Sequence, residues 1–472
     1  MQLHLKYLVA ACGLAVAGHA SALALTAGVT VVPRANIIYV SGASAQGPDL
    51  TAALTNATFG MCVNGTATVY TIAGNNNDRA VFCTFKGAAP APAAFAGQNV
   101  LVIKRDAGGS AYGFYPFYTG AGGTGGQIPA VFQNAGEAGP NLQFLDYTTC
   151  TGPASGTGTC TALTTAGNAI KPDAGLADVE PKVFDAAFKT AALAAASLPQ
   201  LGLQGFGVAV DLALRNALQT QQGLTSGSEL PADQPNLARG VVAAILADSG
   251  GLSAYQGDWS QVITGSARNV TVCRRTNGSG TQQSSNLYFL GTQSLNGPLG
   301  GSLTPSPAQG ARGTGYAVIE NSSTGNAKIC LDAADNSATE FAIGVLSLEN
   351  LMPTSTATPN RWRFVKLNGV SPTAFWGTGN NVAPGAADTT QLRSMVEGNY
   401  EFAFESVGFA DSTKAPIQSF MTALKAQFGN PALGPFTGIA VVPGTSFYTT
   451  DPTQVAKGTR FGNNAQNFQA QP

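Results

Sequence analysis

Arg275 stands four residues before Ser279 in the stretch Cys273-Arg274-Arg275-Thr276-Asn277-Gly278-Ser279-Gly280-Thr281. A guanidinium presents a planar fork of N–H donors that suits a tetrahedral oxyanion. Ser279 and Thr281 add hydroxyl donors. Asn269-Val270-Thr271-Val272 alternates as a strand, and Gln282 to Leu290 has few helix breakers. A strand that turns through Gly-Ser-Gly-Thr into a helix leaves backbone N–H groups pointing outward, where an anion is favoured. The alternative reading is a glycine-rich turn capping an ordinary helix.

Other chemistry is excluded by what the chain lacks. Its two histidines, His4 and His19, lie in an N-terminal stretch with the pattern of a secretory signal peptide. There Lys6 precedes an apolar run, Tyr7 to Gly18, and Ala20-Ser21-Ala22 and Ala22-Leu23-Ala24 offer cleavage sites. A lipoprotein cleavage at Cys12 is the alternative, but the apolar run before it is short. With residues 1–24 removed, no Ser-His-Asp triad, Cys-His pair or His-ligated zinc is available, and an enzyme is not expected. No cofactor is expected either, and no CxxC spacing marks a metal site.

Of seven cysteines, six follow the leader: Cys62, Cys83, Cys150, Cys160, Cys273 and Cys330. An even number in an exported chain implies disulfides, and pairing neighbours in order gives Cys62–Cys83, Cys150–Cys160 and Cys273–Cys330. The formal net charge is −1, and only 10% of residues are charged. That balance argues against broad nucleic-acid or membrane-surface binding, so any anion site must be local. No later stretch reaches the length of about 18 apolar residues that a membrane helix needs.

Several elements are in place to position such a site. Asn36 to Val40 reads as a strand entering the small-residue loop Ser41-Gly42-Ala43-Ser44-Ala45, with a helix from Pro48 to Leu54. Cys62 to Cys83 reads as a hairpin around Gly74-Asn75-Asn76-Asn77. Val100-Leu101-Val102-Ile103 is a continuous apolar strand, as suits a parallel sheet. The Lys104-Arg105-Asp106 triplet after it reads as a surface cluster at a strand end, one of whose basic residues lines the cleft in an alternative reading. From about 120 to 175 the chain is rich in glycine, threonine and alanine and reads as an irregular insertion. A helix is expected from Asp178 through Phe184, Phe188 and Ala191, ended by Pro199, then a strand at Gly205 to Val210. Leu237, Val241 and Ile245 mark an amphipathic helix capped by Asn236. Strands at Arg361 to Leu367 and Tyr400 to Phe404, a helix from Ile417 to Phe428 and a loose polar tail complete the chain. Trp259, Trp362 and Trp376 read as core residues. Alternating strands and helices argue for an α/β fold.

Several of these segments resemble the periplasmic phosphate-binding proteins of ABC importers. Arg275 to Thr281 is similar to their R-S-D-G-S-G-T loop. Leu237 through Tyr255-Gln256-Gly257-Asp258-Trp259 resembles their helix and tryptophan segment. Phe341 to Leu348 resembles their AIGYV strand, and Val365 to Thr373 followed by Val396-Glu397-Gly398-Asn399-Tyr400 resembles their last two motifs. The matches come in the family's order. Asn277 departs from the family's aspartate and Glu401 from its proline.

The resemblance implies a two-lobed class II periplasmic-binding-protein-like fold with a glycine-rich insertion. One lobe would comprise 25–204 and 350–472, the other 205–349. It implies a monomeric periplasmic or secreted protein that holds phosphate or a related oxyanion in the cleft, with an inner-membrane ABC permease as partner. Arg275, Ser279, Gly280 and Thr281 match one side of that site. Gly42, Ala43 and Ser44 match the N-terminal loop, and Gly109 and Ser110 the second glycine-serine loop. Asp178 is the candidate carboxylate that accepts a hydrogen bond from a protonated oxyanion, with Glu180 competing. The alternatives are a secreted surface or matrix protein that kept the fold without a ligand, and a phosphatase-like enzyme.

Overall fold

The computed structural model describes residues 32–119, 140–153, 155–184, 192–193, 195–247, 258–291, 310–311, 315–350, 352–353, 356, 360–372, 392–428, 438–440, 456–460 and 467–470. Residues 1–31, Tyr255 to Gly257, Trp376 and residues 120–139 of the insertion lie outside them.

The chain is α/β. Among the described residues, fourteen strands form one sheet: β1 (Ile37–Gly42), β2 (Thr68–Ile72), β3 (Asn75–Thr84), β4 (Asn99–Arg105), β5 (Gly156–Cys160), β6 (Ala174–Ala177), β7 (Ala195–Asp211), β8 (Asn269–Arg275), β9 (Gly310–Ala311), β10 (Tyr316–Asn321), β11 (Glu340–Ser347), β12 (Trp362–Phe364), β13 (Ala403–Asp411) and β14 (Ile439–Ala440). Their order is β9-β10-β8-β11-β7-β13-β6-β1-β4-β3-β2-β5, with β12 and β14 pairing β7 off this path. Two parallel groups stand on either side of β7. In one, β1 pairs in parallel with β4 and β6; in the other, β8 pairs in parallel with β10 and β11. The antiparallel strands β7 and β13 stand between them.

Alternation explains why β1 and β4 belong inside. Tyr39, Leu101 and Ile103 enter one apolar core, while Ile38, Val40, Val100 and Val102 enter a second on the other face. A parallel sheet covered on both faces has no room for polar alternation, hence the apolar runs. The second core is closed by α1 (Gly47–Thr55) and α7 (Ala415–Phe428), through Leu50, Leu54, Phe420 and Leu424. Further helices are α2 (Ala111–Phe114), α3 (Leu212–Gln221), α4 (Arg239–Leu246), α5 (Gly280–Ser285) and α6 (Thr324–Asp335). The turn α5 passes directly into a π-helix, Asn286–Leu290. Trp259 and Trp362 are buried in the first core.

Several expectations are corrected. Pro199 ends no helix; it lies within β7, where Ala195 to Pro199 pairs with Val407 to Asp411. The pairing with β13 shifts between Glu405 and Val407, and Gln200 has φ 58°. Such an irregularity is where a strand tolerates a residue without an N–H. Asn236 caps no helix: α4 starts at Arg239, and Asn236–Leu237 pairs instead with Lys366–Leu367. The insertion is not wholly irregular, because β5 adds an edge strand beside β2. Nor is the tail loose throughout. Gly458–Thr459 pairs with Gln469–Ala470, and Arg460 is buried with its guanidinium over the Phe404 ring, 4.3 Å from the centroid. The Lys104-Arg105-Asp106 triplet is not a surface cluster, since all three residues are buried.

All three disulfides follow the expected order. Cys62–Cys83 closes the β2–β3 hairpin region, Cys150–Cys160 ties β5 to the turn before it, and Cys273–Cys330 ties β8 to α6. Disulfides fit an oxidising compartment. Among the described residues no helix is long and apolar enough to cross a membrane.

Candidate functional site

The carboxyl ends of the parallel strands deliver polar residues to one place. β1 leads into Ser44, β4 into Asp106 and Ser110, and β6 into Asp178. From the other group, β8 ends on Arg275, β10 leads into Thr324, and β11 leads into Glu349. In open α/β sheets, the crevice beyond the carboxyl ends of the strands is where ligands bind.

The two groups touch backbone to backbone there. The Ala111 N–H donates to the Gly278 carbonyl at 3.0 Å. A Cβ on Gly109 (φ +77°) would stand 2.7 Å from the Ser279 Cα, and one on Gly280 would stand 2.4 Å from the Ser110 Oγ and 2.7 Å from the Asp178 Cβ. Gly109 and Gly280 are therefore required by close approach.

Arg275 is 2% exposed. Its Nη1 donates to the Thr324 Oγ1 at 2.6 Å, its Nη2 to the Ser322 carbonyl at 3.2 Å and its Nε to the Asn321 carbonyl at 3.3 Å. Five N–H groups on a guanidinium leave further donor capacity after these three bonds. Burial lowers its pKa to about 10, against the opposing fields of Asp178, Glu349 and Asp106. Arg274 points elsewhere, as adjacent strand residues do. It is buried, pairs with Glu320 at 3.7 Å and bonds the Asn277 side chain. The Asn277 side chain is thus engaged by Arg274.

Asp178 is 2% exposed, and its N–H donates to the Ser110 Oγ at 2.9 Å. Among the described residues its buried Oδ1 accepts nothing, and the buried Thr281 Oγ1 also lacks a partner. Desolvation raises the Asp178 pKa to about 6, although the Ser110 hydroxyl and the charges of Arg275 and Lys104 pull the other way. Glu180, in contrast, is half-buried at the start of a 3-10 turn, Pro181–Val183. Ser44 places its Oγ 3.4 Å from the Thr324 Oγ1. Ser279 is buried, with its Cα against Gly109.

The N–H of Ala43 is committed to the Leu176 carbonyl at 2.8 Å, and its carbonyl accepts from Lys104 Nζ at 3.2 Å. Its backbone therefore forms a wall and offers no donor. Lys104 also reaches the Gly42 carbonyl at 2.9 Å and Asp106 Oδ1 at 2.6 Å. It ties the first loop to the second. Sequence reasoning missed Thr324, Glu349 and Lys328. The run Asn321-Ser322-Ser323-Thr324 was the available cue for the first, since Ser323 caps α6 by accepting from the Asn326 N–H. Nothing in the pattern around Glu349 marks it.

No family model matches the sequence, and no curated protein matches it. Among solved structures, one described as a possible phosphate binding protein, from Planctomyces limnophilus, is similar over 54% of this chain and 69% of that one. The identity is 14% and the TM-score 0.27, a likeness too low to carry an argument.

Proposed function

We propose that this protein is an exported solute-binding protein that holds phosphate or a related tetrahedral oxyanion in a cleft between two lobes. The observation that carries the reading is the buried convergence of Arg275, Asp178 and Thr281. A cation with spare donors stands in the electrostatic field of Asp178, which packs against Gly280, the neighbour of Thr281; among the described residues the Asp178 Oδ1 and the Thr281 Oγ1 are buried without partners. Buried polar atoms are ordinarily hydrogen-bonded, and those that are not call for a role. A protonated oxyanion satisfies all three: it accepts from Arg275 and Thr281 and donates to Asp178. Sulfate, with no proton to donate, would face Asp178 acceptor to acceptor. An inner-membrane permease as partner belongs to the same proposal.

Calorimetric titration of the purified protein with phosphate, arsenate, sulfate and molybdate tests it. Phosphate binding stronger than sulfate binding is expected near neutral pH. Arg275→Ala should weaken phosphate roughly 10- to 150-fold, the loss of a hydrogen bond to a charged group. Arg275→Lys should recover part of that. Arg274→Ala should lower the melting temperature while leaving affinity nearly unchanged. Absence of heat with every oxyanion would rule out the reading.

A further inference from the structure

Glu349 is a polar group at the carboxyl end of the sheet that the oxyanion reading leaves without a task. It lies two residues beyond Ser347, the last residue of β11, and β11 runs parallel to β8 with Cys273 opposite Gly344. Glu349 therefore leaves the sheet at the same end as Arg275. One of its oxygens is accounted for: Oε1 accepts from the Ser347 hydroxyl at 2.7 Å and from Asn350 Nδ2 at 2.9 Å. The other, Oε2, is buried and has no partner among the described residues. The charges around it come from three other elements. Asp178 follows β6, Arg275 ends β8, and Lys328 stands on α6. Lys328 lies one helical turn after Thr324, the residue that receives the Arg275 bond, so one face of α6 presents both.

We infer that Glu349 is a second carboxyl ligand of the oxyanion site, acting with Asp178, so that the site takes a singly charged, proton-carrying oxyanion and binds it together with a proton. The inference rests on the oxyanion reading above. Two buried acceptors beside one anion require a donor hydrogen for each. Dihydrogen phosphate or dihydrogen arsenate supplies two. A species with one proton needs Glu349 itself to be protonated, and sulfate has none to offer.

The electrostatics agree with the placement. Burial, with the Asp178 charge adding to it, raises Glu349 to about 7, and Lys328 acts in the opposite sense. Arg275 interacts with Glu349 as well and also favours its ionised form. Glu349 thus loses its proton as pH rises through about 7, and its new charge then repels the anion. Phosphate loses a proton over a similar range, so the comparison between variants carries the test.

The measurement is the phosphate dissociation constant from pH 5.5 to 8.5 for the parent, Glu349→Gln and Lys328→Met, with melting temperatures alongside. Parent affinity should fall with pH more steeply than that of Glu349→Gln. By pH 8.5 the parent should have lost about 30-fold more, the ionised excess of a carboxyl with a pKa of about 7. Lys328→Met should move the falling limb to higher pH, because the cation that favours ionised Glu349 is gone; this arm decides if Glu349→Gln fails to fold. Identical slopes for parent and Glu349→Gln, or a uniform weakening at every pH, would overturn the inference while leaving the oxyanion reading intact. A parent that binds no oxyanion at any pH removes that reading and this one with it.

Discussion

Gly280 is the residue on which the two halves of the site most tightly depend. A methyl group there has no free direction, being aimed at the Ser110 Oγ and at both the Cβ and Oδ2 of Asp178. The hydroxyl can rotate, but the Asp178 Cβ is fixed to its backbone. Gly280→Ala should therefore part the Asp178 loop from the Arg275 loop. The expected outcome is a lower melting temperature and phosphate affinity reduced at least tenfold, whereas Gly240→Ala, in open space on α4, should change neither. Equal behaviour of the two variants in titration would show that the loops do not act together. The glycine-serine spacing made Arg275, Ser279, Gly280 and Thr281 legible in sequence because it is local. The meeting with Ser110 and Asp178 was legible only through the family resemblance. Lys104, Glu349 and Lys328 show the limit. A charged residue beside a strand reads as exposed, since charged side chains are almost never fully buried unless paired. Lys104 is buried because the Gly42 and Ala43 carbonyls and Asp106 converge on it from separate segments.

Elements show the same division between local and distant causes. The apolar strands at Val100 and Gly205 follow from composition alone, and the cysteines paired in order because consecutive ones fell on neighbouring elements. The strand β10 and the helix α6 went unread, although α6 holds Thr324, Lys328 and Cys330. Asp332 and Asp335 interrupt the apolar face of α6, and each is buried there for a distant partner. Asp332 accepts from the Arg361 N–H at 2.9 Å, and Asp335 pairs with the Arg361 side chain. The disulfide Cys273–Cys330 fixes this helix against β8. Its sequence separation is 57, against 21 for Cys62–Cys83 and 10 for Cys150–Cys160. On the chain-entropy account the longest loop contributes on the order of 4 kcal/mol and the shortest about 1.5 kcal/mol less. Paired Cys→Ser variants should lose melting temperature in that order. The Cys273/Cys330 variant should also weaken phosphate, because α6 carries the Thr324 contact to Arg275. An unchanged affinity in that variant would mean that packing alone, through Ala327 and Leu331 in the core, holds α6 in place.

Across the whole molecule, the sheet is continuous because β7 spans seventeen residues and serves both strand groups. Its first part pairs with β13 and its last part with β11. Sequence reading divided this strand at Pro199 because proline is a terminator in isolation; only the partner strand reveals the irregular register that accepts it. Folding along this path takes carboxyl oxygens out of water. Asp78 and Asp178 are raised to about 6, Asp211 and Glu349 to about 7, with desolvation the leading cause in all four. The folded chain therefore holds protons that the unfolded chain releases near its ordinary carboxyl range of about 4. Where the folded state binds more protons, stability falls as pH rises. The contribution of these groups is whole below about pH 4, declines as pH climbs, and is exhausted once the folded groups ionise near 6 to 7. Each costs on the order of a few kcal/mol over that range. Asp233, Asp258 and Asp411 have lowered pKa values, so their contribution is lost in the opposite direction, as acid protonates them. The ligand-free protein should accordingly be most stable in mildly acidic solution, near pH 4 to 5, with its melting temperature falling from about pH 5 to 8. Asp178→Asn combined with Glu349→Gln should flatten part of that fall and leave the part owed to Asp78 and Asp211. Melting curves across this range in a buffer free of oxyanions provide the check. A melting temperature that rises from pH 5 to 8 would mean these carboxyls are not held neutral by the fold.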